Sequence, residues 1–224
     1  MKKTYLHIFF TFFIVIGNSQ TFDTNPYNLN SQFQTILKQI TLGESDVPLE
    51  IDGSTYFFKN PQDAILVLTD GGNPISLKTN YNLLNETFEV ESEGGLLNLA
   101  PNKINSIKFI EHSFIVFDSK FYLLITKNDK FSILKSFSLE AIEPDYQPGI
   151  QDKPNLKYKK SNSLFIESNN KLSQIKVSKK AIIALFGKSN SKLVKGFMKK
   201  NKISIRDNKD LKLLFDNYQD ILTN

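Results

Sequence analysis

Between residues 56 and 138 the apolar residues come in short runs, and polar residues interleave with them at a period of two. Phe88 and Val90 alternate with Glu89 and Glu91, the period of a strand with one face on a core and one toward water. The pattern predicts strands at 64–69, 75–81, 87–91, 96–99, 104–110, 113–118, 121–126 and 131–138, preceded by a strand-like aromatic run, Tyr56, Phe57 and Phe58. Turn formers separate them: Asp70-Gly71-Gly72-Asn73, residues 82–85, Glu93-Gly94-Gly95, Asp118-Ser119 and Asn128-Asp129. Glycine supplies the positive φ that tight hairpins need. Short strands at even spacing predict an antiparallel meander, closed or packed into two sheets. Lysines such as Lys108 and Lys127 would blunt its edges. Upstream, Phe33, Ile36, Leu37 and Ile40 stand at i, i+3, i+4 and i+7, the spacing of a short amphipathic helix or a lead-in to a strand.

The pattern breaks at 143–155, where Pro144, Pro148, Gly149 and Pro154 punctuate a stretch with few apolar residues. Such a stretch reads as an extended linker. Beyond it, short strands are expected at 156–158, 163–167 and 172–177, the last two turned by Asn169-Asn170. Ser178 is placed to cap a helix over 179–186 that Gly187 ends. A second helix is expected at 191–200, with Leu193, Val194, Phe197 and Met198 on one face. A third is expected at 208–222, with Leu211, Leu214, Phe215, Tyr218, Ile221 and Leu222 on one face. The expected fold class is α+β: an antiparallel, barrel-like β meander followed by a small β-hairpin and C-terminal helices. The expected units are a leader at 1–19, a β-rich domain at 20–142, the linker at 143–155, and a hairpin with three helices at 156–224.

The leader follows the layout of a secretion signal. Lys2 and Lys3 precede an apolar run over residues 5–16, and Gly17 and Ser19 supply the small residues that a signal peptidase requires. The cut is expected between Ser19 and Gln20. The run is about 12 residues, too short for a spanning helix of about 20. The chain has no cysteine, so a lipid anchor on cysteine and disulfides are both excluded, and an exported product must rely on its core alone. No later stretch is apolar enough to span a bilayer, so the expected address is periplasmic or extracellular.

Charge sharpens the division at the linker. The formal net charge is +5, and +3 without Lys2 and Lys3. Residues 20–152 carry 9 lysines against 18 acidic residues, net −9, whereas residues 153–224 carry 17 basic residues against 5 acidic ones, net +12. Such a split is a statement about fields and partners rather than fold. Either the halves face and neutralise each other, or the basic half meets an anionic surface, or the lysines simply solvate helix faces.

Most catalytic chemistry lacks its residues. Apart from His7 in the leader, His112 is the sole histidine. Without cysteine, neither a zinc cage of Cys and His nor a Cys–His pair can be built. No Gly-x-Ser-x-Gly elbow accompanies His112. Gly71-Gly72 and Gly94-Gly95 lack the helix and lysine of a phosphate loop. No cofactor or metal is expected. Carboxylates remain: Glu140, Glu143 and Asp145 cluster at the linker, and Asp118 and Asp129 fall in turns. Two carboxylates can run glycoside hydrolysis or bind calcium, but nothing in this spacing selects either, and acidic residues in turns are usually just turn residues.

The basic half carries a more specific pattern. Lys157, Lys159, Lys160, Lys176, Lys179 and Lys180 flank the small hairpin, and Arg206 lies further on. Lys192, Lys195 and Lys199 fall at i, i+3 and i+7 of the second helix, joined by Lys200 and Lys202. Lysine offers point charge without forked recognition, so the ridge suits an anionic lipid or polysaccharide surface. No aromatics that could stack bases are interleaved with it, which disfavours nucleic acid.

Three segments carry a family resemblance: 80–90 leading to Leu96-Leu97, the hairpin 121–124 with 131–135, and the tail 197–203 followed by 211–218. In these the chain resembles a family of exported proteins of Bacteroidetes. The resemblance implies a secreted or periplasmic address and supplies no activity and no catalytic residues. The chain departs from it at Leu164-Phe165-Ile166, where that family tends to place tyrosines. The functional expectation is an exported, non-enzymatic envelope protein that binds an anionic surface or a partner protein. The alternative is an envelope glycan hydrolase with paired carboxylates.

Overall fold

The computed structural model describes residues 26–44, 51–145, 147, 150 and 154–222. The expected leader lies outside the described residues. Helix α1 (Pro26–Ile40) runs directly into β1 (Thr41–Glu44). Next come β2 (Gln62–Leu68), β3 (Ile75–Asn82), β4 (Thr87–Ser92), β5 (Gly95–Leu99), β6 (Ile104–Lys108), β7 (Ser113–Phe117), β8 (Lys120–Lys127) and β9 (Ser132–Ile142). The chain continues with β10 (Lys157–Ser168), β11 (Lys171–Ile175), α2 (Lys179–Ala184), α3 (Ser191–Lys200) and α4 (Asn208–Asn217). These strands form one open sheet of 11, in the order β1-β5-β4-β3-β2-β6-β7-β8-β9-β10-β11. The fold is β-rich α+β.

Local chemistry explains most of these boundaries. The two-residue turns Asp118-Ser119 (φ +46° and +59°) and Asn169-Asn170 (φ +52° and +58°) adopt paired left-handed conformations, whose twist matches that of the strands they join. Ser178 Oγ accepts the Ala181 amide at 3.2 Å and caps α2. Gly187 closes that segment at φ +78°, and Asp207 caps α4 by accepting from the Lys209 and Asp210 amides.

The sheet is curled, and chain length demands it. β5 and β6 stand four strand spacings apart in the sheet order, about 19 Å if flat. Only five Cα steps join Leu99 to Ile104, and three of the residues between form a 3-10 turn, Pro101–Lys103. Even fully extended, five steps reach about 17 Å. Aromatic contacts record the result. Phe88 on β4 meets Phe121 on β8 at 5.0 Å and Phe114 on β7 at 4.9 Å. In a flat sheet β4 and β8 would be about 24 Å apart.

Inside the curl lies one hydrophobic cluster, which includes Leu37, Phe88, Phe114, Ile133, Phe186, Val194 and Phe215. Helix α4 closes over β8 and β9, with α2 and α3 packed together beside it. Phe215 packs on Phe131 with ring centroids 6.4 Å apart and on Phe186 at 5.5 Å, and Phe197 meets Tyr218 at 5.2 Å. Thr126 donates to the Asp216 carboxylate and the buried Lys135 ammonium to Asn208. Burial pulls the Lys135 ammonium below its ordinary range, and the Asp207 charge opposes that in part.

Four expectations change. The helix expected over 208–222 ends at Asn217, and a 3-10 turn, Gln219–Ile221, follows it. Residues 56–58 form no strand, only a single bridge between Tyr56 and Asn82. Pro61 has no amide hydrogen, and residues 58–61 loop out before β2 begins. Strands expected at 156–158 and 163–167 are one strand, β10, paired with β9 over eleven residue pairs. The 143–155 stretch therefore joins two neighbours in the sheet. Leu193, expected on the apolar face of α3, is 58% exposed, because Val194, Met198 and the half-buried Phe197 carry that face without it.

Candidate functional site

Two places bring functional side chains together. The first is the outer surface of α3. Lys192, Lys195, Lys199 and Lys200 are exposed, as is Lys202 beyond the helix end. At 100° per residue the four helical lysines share one arc with Gly196, and Leu193 stands at its rim. Val194 and Met198 are buried on the opposite side. Ion pairs among the described residues, such as Lys209–Glu111 at 3.9 Å and Lys212–Asp216 at 2.6 Å, involve none of these five lysines. The expected ridge is therefore a solvent-facing surface of concentrated positive charge.

The other expected residues do not converge. His112 lies in the β6–β7 connection, its ring against Phe57 and Phe58 at 5.6 and 5.8 Å, and among the described residues no hydrogen bond joins that ring to a carboxylate or hydroxyl. Glu140, Glu143, Asp145, Asp118 and Asp129 are all exposed. Among the described residues no group of three or more His, Asp or Glu is arranged to hold a metal ion.

The second place was not legible in the sequence. Segment 55–58 lies along the end of β3: the Phe57 amide donates to the Tyr81 carbonyl at 2.9 Å, and the Leu83 amide to the Thr55 carbonyl at 2.7 Å. One residue on, the ladder is taken over by a side chain. Asn80 accepts from the Phe58 amide at 3.1 Å and donates to the Phe58 carbonyl at 2.9 Å. Its amide group thus replaces a missing rung where the chain loops out. The same segment covers Glu89, which is only 3% exposed. The Tyr56 hydroxyl donates to Glu89 Oε2 at 2.6 Å, and Asn82 Nδ2 to Oε1 at 2.8 Å. Burial, reinforced by the neighbouring carboxylate, raises the Tyr56 phenol above its ordinary range.

A cavity of about 380 Å³ opens beside this cluster, lined by Tyr56, Lys59, Pro61, Lys78, Asn80, Glu89, Glu91 and Leu96. Glu89 and Glu91 project from the same face of β4, and register places Lys78 of β3 opposite Glu91. Alternation marked Glu89 and Glu91 as facing away from the core, which is correct. It carried no sign that residues 55–61 would cover that face. The one local clue, Pro61 after the aromatic run, signals an interrupted strand but not where the loop lands.

No protein-family model, no curated protein and no solved structure matches the chain.

Proposed function

We propose that the protein is exported and acts in the cell envelope by binding, with the lysine arc of α3 as its contact for an anionic surface, lipid or polysaccharide. The supporting observation is that four lysines share one exposed arc with no ion pair among the described residues. Charge left unneutralised on one helix face attracts anions over about 10 Å at 0.1 M salt. Leu193 at the rim adds an apolar contact. The signal-like leader and the resemblance to exported proteins support the address, and a partner protein with an acidic face would use the same surface. The test incubates protein recovered after export with anionic vesicles, neutral vesicles and an acidic polysaccharide, at low and high salt. Retention on the anionic materials at low salt, lost at high salt, is expected. No retention at low salt overturns the reading.

The same reading takes the β body to be barrel-like. Support comes from one parallel rung, in which the Asp52 amide donates to the Leu156 carbonyl at 3.0 Å and the Tyr158 amide to the Asp52 carbonyl at 3.1 Å. Residues 52 and 56 thereby tie β10 to β3 through a single short segment.

A second reading is hydrolysis of an envelope glycan. It is favoured by Glu89 and Glu91, which line one cavity and sit two positions apart on a strand. Their Cα atoms are therefore about 7 Å apart on one face, a spacing from which two carboxyl groups can reach the separation used by paired glycosidic carboxylates. Release of reducing ends from envelope glycan, abolished in Glu91→Gln, tests it.

A further inference from the structure

We propose that the cavity beside Tyr56 is a binding site for a neutral, polyhydroxylated small ligand, a mono- or disaccharide. The proposal does not rest on the lysine arc of α3, and unlike the hydrolytic reading it requires no turnover.

Three features carry it. The first is size: about 380 Å³ lies within the range of pockets that hold small molecules. The second is composition. Two carboxylates, Glu89 and Glu91, and two ammonium groups, Lys59 and Lys78, line the same space, so its formal charge is balanced. A balanced lining gives no net field to select an ion, but it sets acceptors next to donors. A hydroxyl group both gives and takes a hydrogen bond, so vicinal hydroxyls suit that alternation. Leu96, Pro61 and the lysine stems supply an apolar strip for the C–H face of a sugar ring.

The third feature is rigidity. Tyr56 is held by Glu89, Glu89 also by Asn82, and the looped-out wall is pinned at Phe58 by both ends of the Asn80 amide. Asn80, Asn82 and Glu89 are each at most 5% exposed. Burying so many polar groups on the outer face of a sheet is costly unless each is bonded. The bonds set the wall in place before a ligand arrives, which removes part of the ordering cost of binding.

The buried residues also hold segment 55–58, so the decisive variants are at the exposed rim, where folding does not depend on them. Binding of glucose, galactose, N-acetylglucosamine and lactose to the purified protein is measured by saturation-transfer NMR and calorimetry, with glycine and acetate as ionic controls. At least one sugar is expected to bind, while glycine and acetate do not. Lys78→Met and Glu91→Gln are each expected to weaken that binding about tenfold, the size of a lost charge-assisted hydrogen bond, at an unchanged melting temperature. Lys192→Glu on α3 is expected to leave it unaltered. The proposal is overturned if no sugar binds, if glycine or acetate binds instead, or if both rim variants bind sugar as the parent does. Sugar binding without any release of reducing ends would remove the hydrolytic reading and leave this one standing.

Discussion

On the outer face of β3 and β4 polar side chains are buried and bonded; on α3 charged side chains stand in water over an apolar underside. The two regions use the same residue types to opposite ends. Glu89 loses its hydration and regains it from the Tyr56 hydroxyl and the Asn82 amide. Lys192, Lys195 and Lys199 keep theirs. The first arrangement depends on partners brought from 33 and 7 residues away, so each member is costly to remove once the others are in place. The second depends on nothing but helix periodicity, and its residues can be exchanged at little cost to folding.

The contrast can be broken or sharpened by measurement. The largest effect belongs to neither surface but to the core beneath both. Phe88 packs against Tyr81, Phe109, Phe114 and Phe121, and Phe88→Ala should lower stability by about 3–5 kcal/mol in urea unfolding. A loss below about 1 kcal/mol would show that the curl does not depend on those rings.

Next comes the buried staple. Tyr56→Phe removes the donor to Glu89 and should cost about 1–3 kcal/mol. The effect has a pH signature. The Tyr56 phenol titrates higher in the folded chain than its ordinary value of 10.0. Its contribution is therefore complete below pH 10 and lost as the pH climbs beyond it. The stability gap between the parent and Tyr56→Phe should narrow above pH 10, and a constant gap would contradict the assignment.

Lys135 has the opposite sign. Burial lowers its folded pKa below the ordinary 10.5, so between the two values the unfolded chain holds more protons, and stability rises as the pH approaches 10.5. Lys135→Met should lack that rise. At neutral pH its effect should be about 1 kcal/mol or less, because a lost hydrogen bond is offset by a buried charge removed.

The smallest effect is expected on α3. Reversing Lys192, Lys195 and Lys199 together to glutamate should move stability by about 0.5 kcal/mol or less per site while abolishing retention on anionic vesicles. A large loss of stability would mean that the arc is packed against something and is not an open surface.

What could be read from sequence follows from the range of each signal. Period-two alternation located β4, paired turn residues located the hairpins at Asp118-Ser119 and Asn169-Asn170, and a capping serine and a terminal glycine bracketed α2. All are local, set by backbone preference within a few residues. The lysine arc was legible for the same reason. The failure of residues 56–58 to form a strand, the merger of two expected strands into β10 and the burial of Glu89 all depend on which distant segment lies alongside. No window of ten residues holds that information. Leu193 shows the limit within a helix: four apolar residues suggested a face, but the core took Val194, Met198 and one side of Phe197 and left Leu193 outside.

The single parallel rung at Asp52 also bears on the order of assembly. Asp52 waits for Lys157, about a hundred residues later in a chain made from its N-terminus. β2, too, pairs both with β3, its neighbour in sequence, and with the more distant β6. Contacts of such long sequence separation make for slow folding, since loop entropy must be overcome before they form. Until β7 and β9 have been made, Phe57 lacks the rings of Phe114 and Phe137 that it packs against. A chaperone that shields residues 51–58 during that interval would raise the yield of folded protein.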